Sequence, residues 1–360
     1  MRLVDDSGLW STGQQPAQPQ LVAVLEVSGA VLSWTVDDAA HAAQITFTDP
    51  VRADWLWRVL GEPGHIALGA ALDGRTPEAT IELADVNLRP ETLEPLRRLA
   101  LGHWLRRWWP TSQRDGIAAL DGALLDAEIA LLTAGAEEFF TDDTFDSDVA
   151  ALLRPHTAAL SAHLQGGDPR VVELVRNCAD LAGDVGVAFA EAAGVAVRRD
   201  DYALAAGADG DGRASSSIAT GTDSANWGAV PPGIFDAAEN TIQWQVQVAD
   251  GAAKAVVRVE LSGSGLAAGI GVRLQSGDFS GVGVLDADGA ATFPIFDGPH
   301  PVAESAAWDH DWQSTGVTVG AEVEESPQMR QRIREFARAR LRAPAGDAFL
   351  AEVLAAESDY

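Results

Sequence analysis

Hydrophobic positions recur along this chain with two periods, and the change of period divides it. Early on, LVAVLEVSGAVLSWTV (21–36) predicts two short strands around Ser28-Gly29. AQITFTDP (43–50), HIALGAAL (65–72) and ATIELADV (79–86) read as further β-like runs bounded by Asp, Pro or Gly. A small mixed or antiparallel sheet is expected over residues 21–86.

From Pro90 the spacing becomes three to four. In RPETLEPLRRLALGHWLRRWW, residues Leu93, Leu96, Ala100, Trp104 and Trp108 share one helix face, and Pro110 ends the segment. RDGIAALDGALLDAEIALL carries Ile117, Leu120, Leu124, Ala127 and Leu131 on one face with Leu125, Ile129 and Leu132 beside it. An apolar face that wide predicts burial on more than one side. SDVAALLRPHTAALSAHL and PRVVELVRNCADLAGDVGVAFAEAAG complete a helical layer over residues 90–194. Residues 1–204 are therefore expected to form an α+β domain.

Small and polar residues with two adjacent prolines fill the next stretch, so 205–233 reads as a flexible linker or exposed loop. Beyond it the period is two. TIQWQVQV sets Ile242, Trp244, Val246 and Val248 against Thr241, Gln243, Gln245 and Gln247, one face dry and the other wet. AAKAVVRVEL, GIGVRLQS, FSGVGVLD, AATFPIF and TGVTVGAEV follow, separated by turn signals such as Ala249-Asp250-Gly251. Strands at this spacing predict an antiparallel, immunoglobulin-like sandwich over 234–325, a pattern that carries no function of its own. Ser326 as N-cap and Pro327 at the first helical position then open a basic C-terminal helix and tail, 326–360.

Charge narrows the function. Of the 360 residues, 53 are Asp or Glu and 25 Lys or Arg, a formal net charge of -28, and such a surface repels a phosphate backbone. Nucleic acid is thus an unfavourable partner. Lys254 is the only lysine, and that bias beside abundant Ala suggests a GC-rich bacterial genome. One cysteine, Cys178, excludes an internal disulfide and a Cys-rich zinc site. With no run of about 18 apolar residues and no leader-like N-terminus, no membrane span and a cytoplasmic location are expected.

Chemistry is most concentrated in WDHDW, 308–312. On a strand, Trp308, His310 and Trp312 face one way and Asp309 and Asp311 the other, which separates imidazole from carboxylates. Packing of the indoles with solvated aspartates accounts for this pattern; the alternative is a hard-cation site on Asp309 and Asp311, joined by Glu304 or the Asp286/Asp288 turn. His156 and His163, seven residues apart on one helix face, offer half of another metal site. EEFFTDDTFDSD (137–148) fails the EF-hand spacing and reads as a loop, or a docking patch, and ADGDGRASSS reads as linker.

Arg330, Arg332, Arg334, Arg338, Arg340 and Arg342 face only Glu335 in the C-terminal helix. They either pair with the acidic body or dock an acidic partner, for which Arg330, Arg334, Arg338 and Arg342 are the candidate contacts. Trp109, beside Arg106 and Arg107, has the composition of an interface hot spot. No P-loop, G-x-S-x-G, H-E-x-x-H or strand-linked G-x-G-x-x-G occurs.

The resulting expectation is a non-enzymatic protein-binding or adaptor protein, without cofactor, docking through the basic helix. Its competitors are a metal-assisted hydrolase using the Trp308–Trp312 stretch and a self-assembling structural subunit joined through strand edges.

Overall fold

The computed structural model describes residues 1–6, 8–13, 19–38, 42–73, 80–137, 139–140, 146–165, 167–189, 217–263 and 265–358. Two compact units divide the chain. The first takes Met1–Trp109, Leu120–Ala193 and Glu335–Tyr360, and the second Pro110–Ala119 and Gly194–Arg334. The class is α+β, built from antiparallel sheets and helices.

In the first unit, β1 (Arg2–Asp6), β2 (Leu9–Ser11), β3 (Val22–Val27), β4 (Ala30–Thr35), β5 (Gln44–Phe47) and β6 (Thr80–Glu82) form one sheet in the order β3-β4-β5-β2-β1-β6. Every neighbouring pair in it is antiparallel. Ser28-Gly29 turns β3 into β4, and only glycine fits: φ is 75° and a Cβ would overlap the Asp49 carbonyl.

HIALGAAL, expected as a strand, lies instead in α1 (Leu56–Asp73), a helix interrupted at Gly61, where φ is 73°. Within HIALGAAL, Ala and Leu are strong helix formers and Ile66 is the one β-branched residue; it is exposed while Leu68 is buried.

Helices α2 (Glu94–Trp108), α3 (Gly122–Glu137), α4 (Asp146–Leu153), α5 (Thr157–His163) and α6 (Pro169–Asp184) make the helical layer. Helix α3 packs on α2, α4 and α6, and α2 lies on β3. Leu124, Leu125, Ala127, Ile129 and Ala130 are all buried, as a wide apolar face requires. The helix starts later than its periodicity suggests, because Asp121 caps it by accepting from the N–H groups of Ala123 and Leu124. Ile117 is buried apart from it, bridged to Ser112 in the second unit. The single helix expected over 147–164 is divided into α4 and α5 at Pro155, whose nitrogen has no hydrogen to donate.

The second unit contains β7 (Ser217–Asp223), β8 (Ile242–Ala249), β9 (Ala252–Val259), β10 (Gly271–Ser276), β11 (Phe279–Val284), β12 (Ala290–Pro294), β13 (Phe296–Asp297), β14 (His300–Pro301), α7 (Glu304–Asp309) and β15 (Gly316–Val319). Two antiparallel sheets, β14-β13-β11-β10-β15 and β12-β9-β8-β7, contribute to one core. Ile242, Trp244, Val246, Val257 and Phe293 enter it from one sheet, Val272, Leu274 and Val317 from the other. Asp250 and Gly251, both at positive φ, close the β8–β9 hairpin.

Residues 217–223, placed by composition in the linker, are the edge strand β7. Its small residues hide the alternation, and antiparallel pairing with β8 supplies the order that local composition does not. Gly221 is required opposite Trp244, since any Cβ there would overlap the indole. Residues 205–216 of the expected linker lie outside the described residues.

Helix α8 (Pro327–Arg342) begins as its sequence predicts: the Ser326 hydroxyl accepts from the Met329 N–H at 3.2 Å. Its residues through Arg334 belong to the second unit, and those from Glu335, with α9 (Leu350–Ser358), to the first.

Candidate functional site

WDHDW is not a strand. Helix α7 ends at Asp309 and a 3-10 turn starts at Trp312, so face alternation does not apply. Trp308 is 51% exposed, and Trp312 is buried with its indole N–H donating to the Ala307 carbonyl at 2.9 Å. Asp309 and Asp311 are exposed; Asp311 caps the 3-10 turn by accepting from the Gln313 N–H. His310 turns inward, tilted against Phe279 at 4.3 Å between ring centroids and edge-on to Trp312 at 4.6 Å. Its Nε2 is 2.9 Å from Ser276 Oγ, which in turn is 2.9 Å from Thr315 Oγ1. Ser276 is fully buried, so this serine–histidine pair joins the end of β10 to the segment just after α7 and offers no accessible nucleophile. Asp286 accepts from the N–H groups of Asp288 and Ala290, shaping its own turn.

The histidine pair divides as well. His156 Nε2 lies 3.0 Å from Asp126 Oδ2, and His163 Nε2 lies 3.0 Å from Asp121 Oδ2. Each imidazole thus fastens the α4–α5 segment to α3 through a different carboxylate. Among the described residues no three His, Cys, Asp or Glu side chains converge on a metal-sized space. Of the acidic stretch 137–148, residues 138 and 141–145 lie outside the described residues, as does ADGDGRASSS up to Ser216.

The arginine helix is largely engaged within the protein. Arg330 grips Glu239 through two hydrogen bonds of 3.0 and 2.8 Å, and Arg334 adds a third at 2.9 Å while lying 3.3 Å from Asp115. Burial opposes the charged form of Glu239, yet the hydrogen bonds from Arg330, Ser224 and Arg334 prevail and hold its carboxyl down at about 2. Arg340 pairs with Glu352, which is 0% exposed, at 2.5 and 2.7 Å. Burial alone would lower the Arg340 pKa; the Glu352 carboxylate overrides it and raises it. Arg330 and Arg334, expected to meet a partner, are therefore buried in ion pairs. Arg338 is half-buried and Arg342 exposed, and Trp109 is half-buried at the end of α2.

Among the described residues, two surfaces carry polar groups without an internal partner. On the second unit, the outward-facing positions of β7, β8 and β9 make cross-strand rows: Thr222, Gln243 and Arg258 in one, Thr220, Gln245 and Val256 in the next. They surround a depression of 330 Å³. Arg258 forms no ion pair among the described residues, and the Gln243 and Gln245 amides have no hydrogen-bond partner among them. Lys254, in the next row of the same face, lies 3.1 Å from Asp250.

On the first unit, β3, α2, α3 and α4 enclose a cleft of 230 Å³ lined by Glu26, His103, Arg106, Thr133 and Asp148 over an aliphatic floor. No sequence motif marks either surface, because each takes single residues from several elements. No protein-family model, curated protein or solved structure matches this chain.

Proposed function

We propose that this chain is a non-enzymatic binding protein that receives an acidic, extended polypeptide on the outer face of the β12-β9-β8-β7 sheet. One observation carries the reading: Arg258, whose guanidinium has no ion-pair partner among the described residues, stands with the Gln243 and Gln245 amides, likewise without a partner among them, around an open depression. Amides both donate and accept, which matches the alternating N–H and C=O groups of an extended backbone. Arg258 supplies positive charge on a chain of net charge -28, which suits acidic side chains on the partner. The docking role moves from the arginine helix, whose buried members are paired, to this face.

The test places p-benzoylphenylalanine at Gln245 of the full chain in cells that produce it. Irradiation should give an adduct of discrete mass with an Asp- and Glu-rich polypeptide, lost when Arg258→Glu is added. No discrete adduct, an adduct of the chain with itself, or one that survives Arg258→Glu overturns the proposal.

A further inference from the structure

The first-unit cleft has a composition distinct from that of the sheet face. The buried Leu25, Leu99 and Leu152 make its floor, and Ala151, two carboxylates, Glu26 and Asp148, and two basic groups, His103 and Arg106, complete the lining with Thr133. Opposite charges are thus held at one small apolar space. A volume of 230 Å³ is below the usual range for drug-sized ligands and suits a metabolite of fewer than about ten heavy atoms.

Arg106 is held for the purpose of presenting its fork. Its Nε lies 3.0 Å from Oδ1 of Asp126, a carboxylate only 4% exposed, while its two terminal nitrogens have no ion-pair partner among the described residues. Asp126 Oδ1 has that ionic contact but no aligned hydrogen bond, and Oδ2 faces His156. A guanidinium anchored on one edge leaves its other edge to take a carboxylate in two parallel hydrogen bonds.

Burial lowers the pKa of His103, with Arg106 adding to that effect and Asp126 and Asp148 opposing it. Its imidazole is therefore neutral near pH 7 and adds a donor beside Arg106 without a second full positive charge. Glu26 and Asp148 then suit an ammonium group, and the leucines an aliphatic side chain beside the two charges.

We infer that this cleft is a binding site for a small aliphatic α-amino acid, its carboxylate on Arg106 and His103, its ammonium on Glu26 and Asp148, and its side chain over Leu25, Leu99 and Leu152. The inference is independent of the sheet-face reading, since the two surfaces belong to different units.

Titration calorimetry on the full chain tests it with L-leucine and two analogues that each lack one charge, isoamylamine and 4-methylpentanoate. L-Leucine should bind saturably, at one per chain, and each analogue at least tenfold more weakly. Arg106→Gln and Glu26→Gln should each weaken leucine at least tenfold; Glu26→Gln, at an exposed position, should leave the melting temperature without ligand within a few degrees, whereas Arg106→Gln also unpairs the buried Asp126 and should lower it. No saturable leucine binding overturns the inference. So does either analogue binding as well as leucine, which would mark a simple cation or anion site, and so does leucine binding that survives both substitutions. Should Arg106→Gln fail to fold, Glu26→Gln alone decides.

Discussion

His310 Nε2 and Ser276 Oγ lie 2.9 Å apart beneath the Phe279 and Trp312 rings, so the imidazole of WDHDW is a packing element of the second unit. Replacing it by alanine removes two ring contacts and leaves the fully buried Ser276 hydroxyl with Thr315 alone. His310→Ala should cost roughly 1–3 kcal/mol in urea unfolding. Asp309→Ala, on an exposed carboxylate, should change stability by less than about 0.5 kcal/mol. An effect of Asp309→Ala as large as that of His310→Ala would contradict this account.

Glu239 makes the second unit sensitive to acid. Its carboxyl titrates at about 2 in the folded chain against an ordinary value of 4.5, so the stability it contributes is fully present above 4.5 and is lost as pH falls toward 2. Glu239 is only partly buried, so solvent screening leaves this contribution on the order of 1–2 kcal/mol. Glu239→Gln should remove most of that pH dependence and weaken the folded state at pH 7, as chemical denaturation between pH 2 and 7 will show.

The two arginines nearest the end of α8 should behave oppositely. Arg340→Ala leaves Glu352 charged and wholly buried, a loss of roughly 3–5 kcal/mol, whereas Arg342→Ala removes an exposed side chain and should cost less than about 0.5 kcal/mol. Thermal melts of the two variants side by side decide it; equal losses would mean that the Arg340–Glu352 pair is not the anchor the geometry describes.

Gly221→Ala forces a methyl group into the Trp244 indole within an already filled core. A loss of about 2 kcal/mol is expected, typical of overpacking. Trp244→Phe in the same background should recover part of it, and full additivity of the two changes would show that they do not touch.

Where local chemistry decides conformation, the sequence is a good guide. The Gln-alternating strand at 242–249, the Asp250-Gly251 turn and the Ser326-Pro327 helix start all follow from single-residue preferences and a period of two. Strand β7 does not, because Ser, Ala, Gly and Thr give no hydrophobic alternation and its order comes from β8. WDHDW misleads for a related reason: its alternation is real in sequence, yet a helix end falls in the middle of it. The fate of the arginines needed the positions of Glu239 and Glu352, about 90 residues upstream of Arg330 and 12 downstream of Arg340. Neither cleft nor sheet face has a motif, since Glu26, Arg106 and Asp148 meet only through the packing of β3, α2 and α4.

The first unit is made of three separated stretches, and its third, Glu335–Tyr360, leaves the ribosome only after all of the second unit. Arg98, Glu128 and Gly102 must await that stretch: Arg98 hydrogen-bonds the Asp347 and Ala348 carbonyls, Glu128 accepts from the Leu350 N–H, and Gly102 provides the space into which Phe349 packs. Vectorial synthesis therefore favours completing the β-rich second unit before the helical first one, reversing the usual N-to-C order of domain maturation. A nascent chain stalled just short of residue 335 should hold its α2–α3 surface open to chaperones, with the surroundings of Gly102 covered only once Phe349 has packed there.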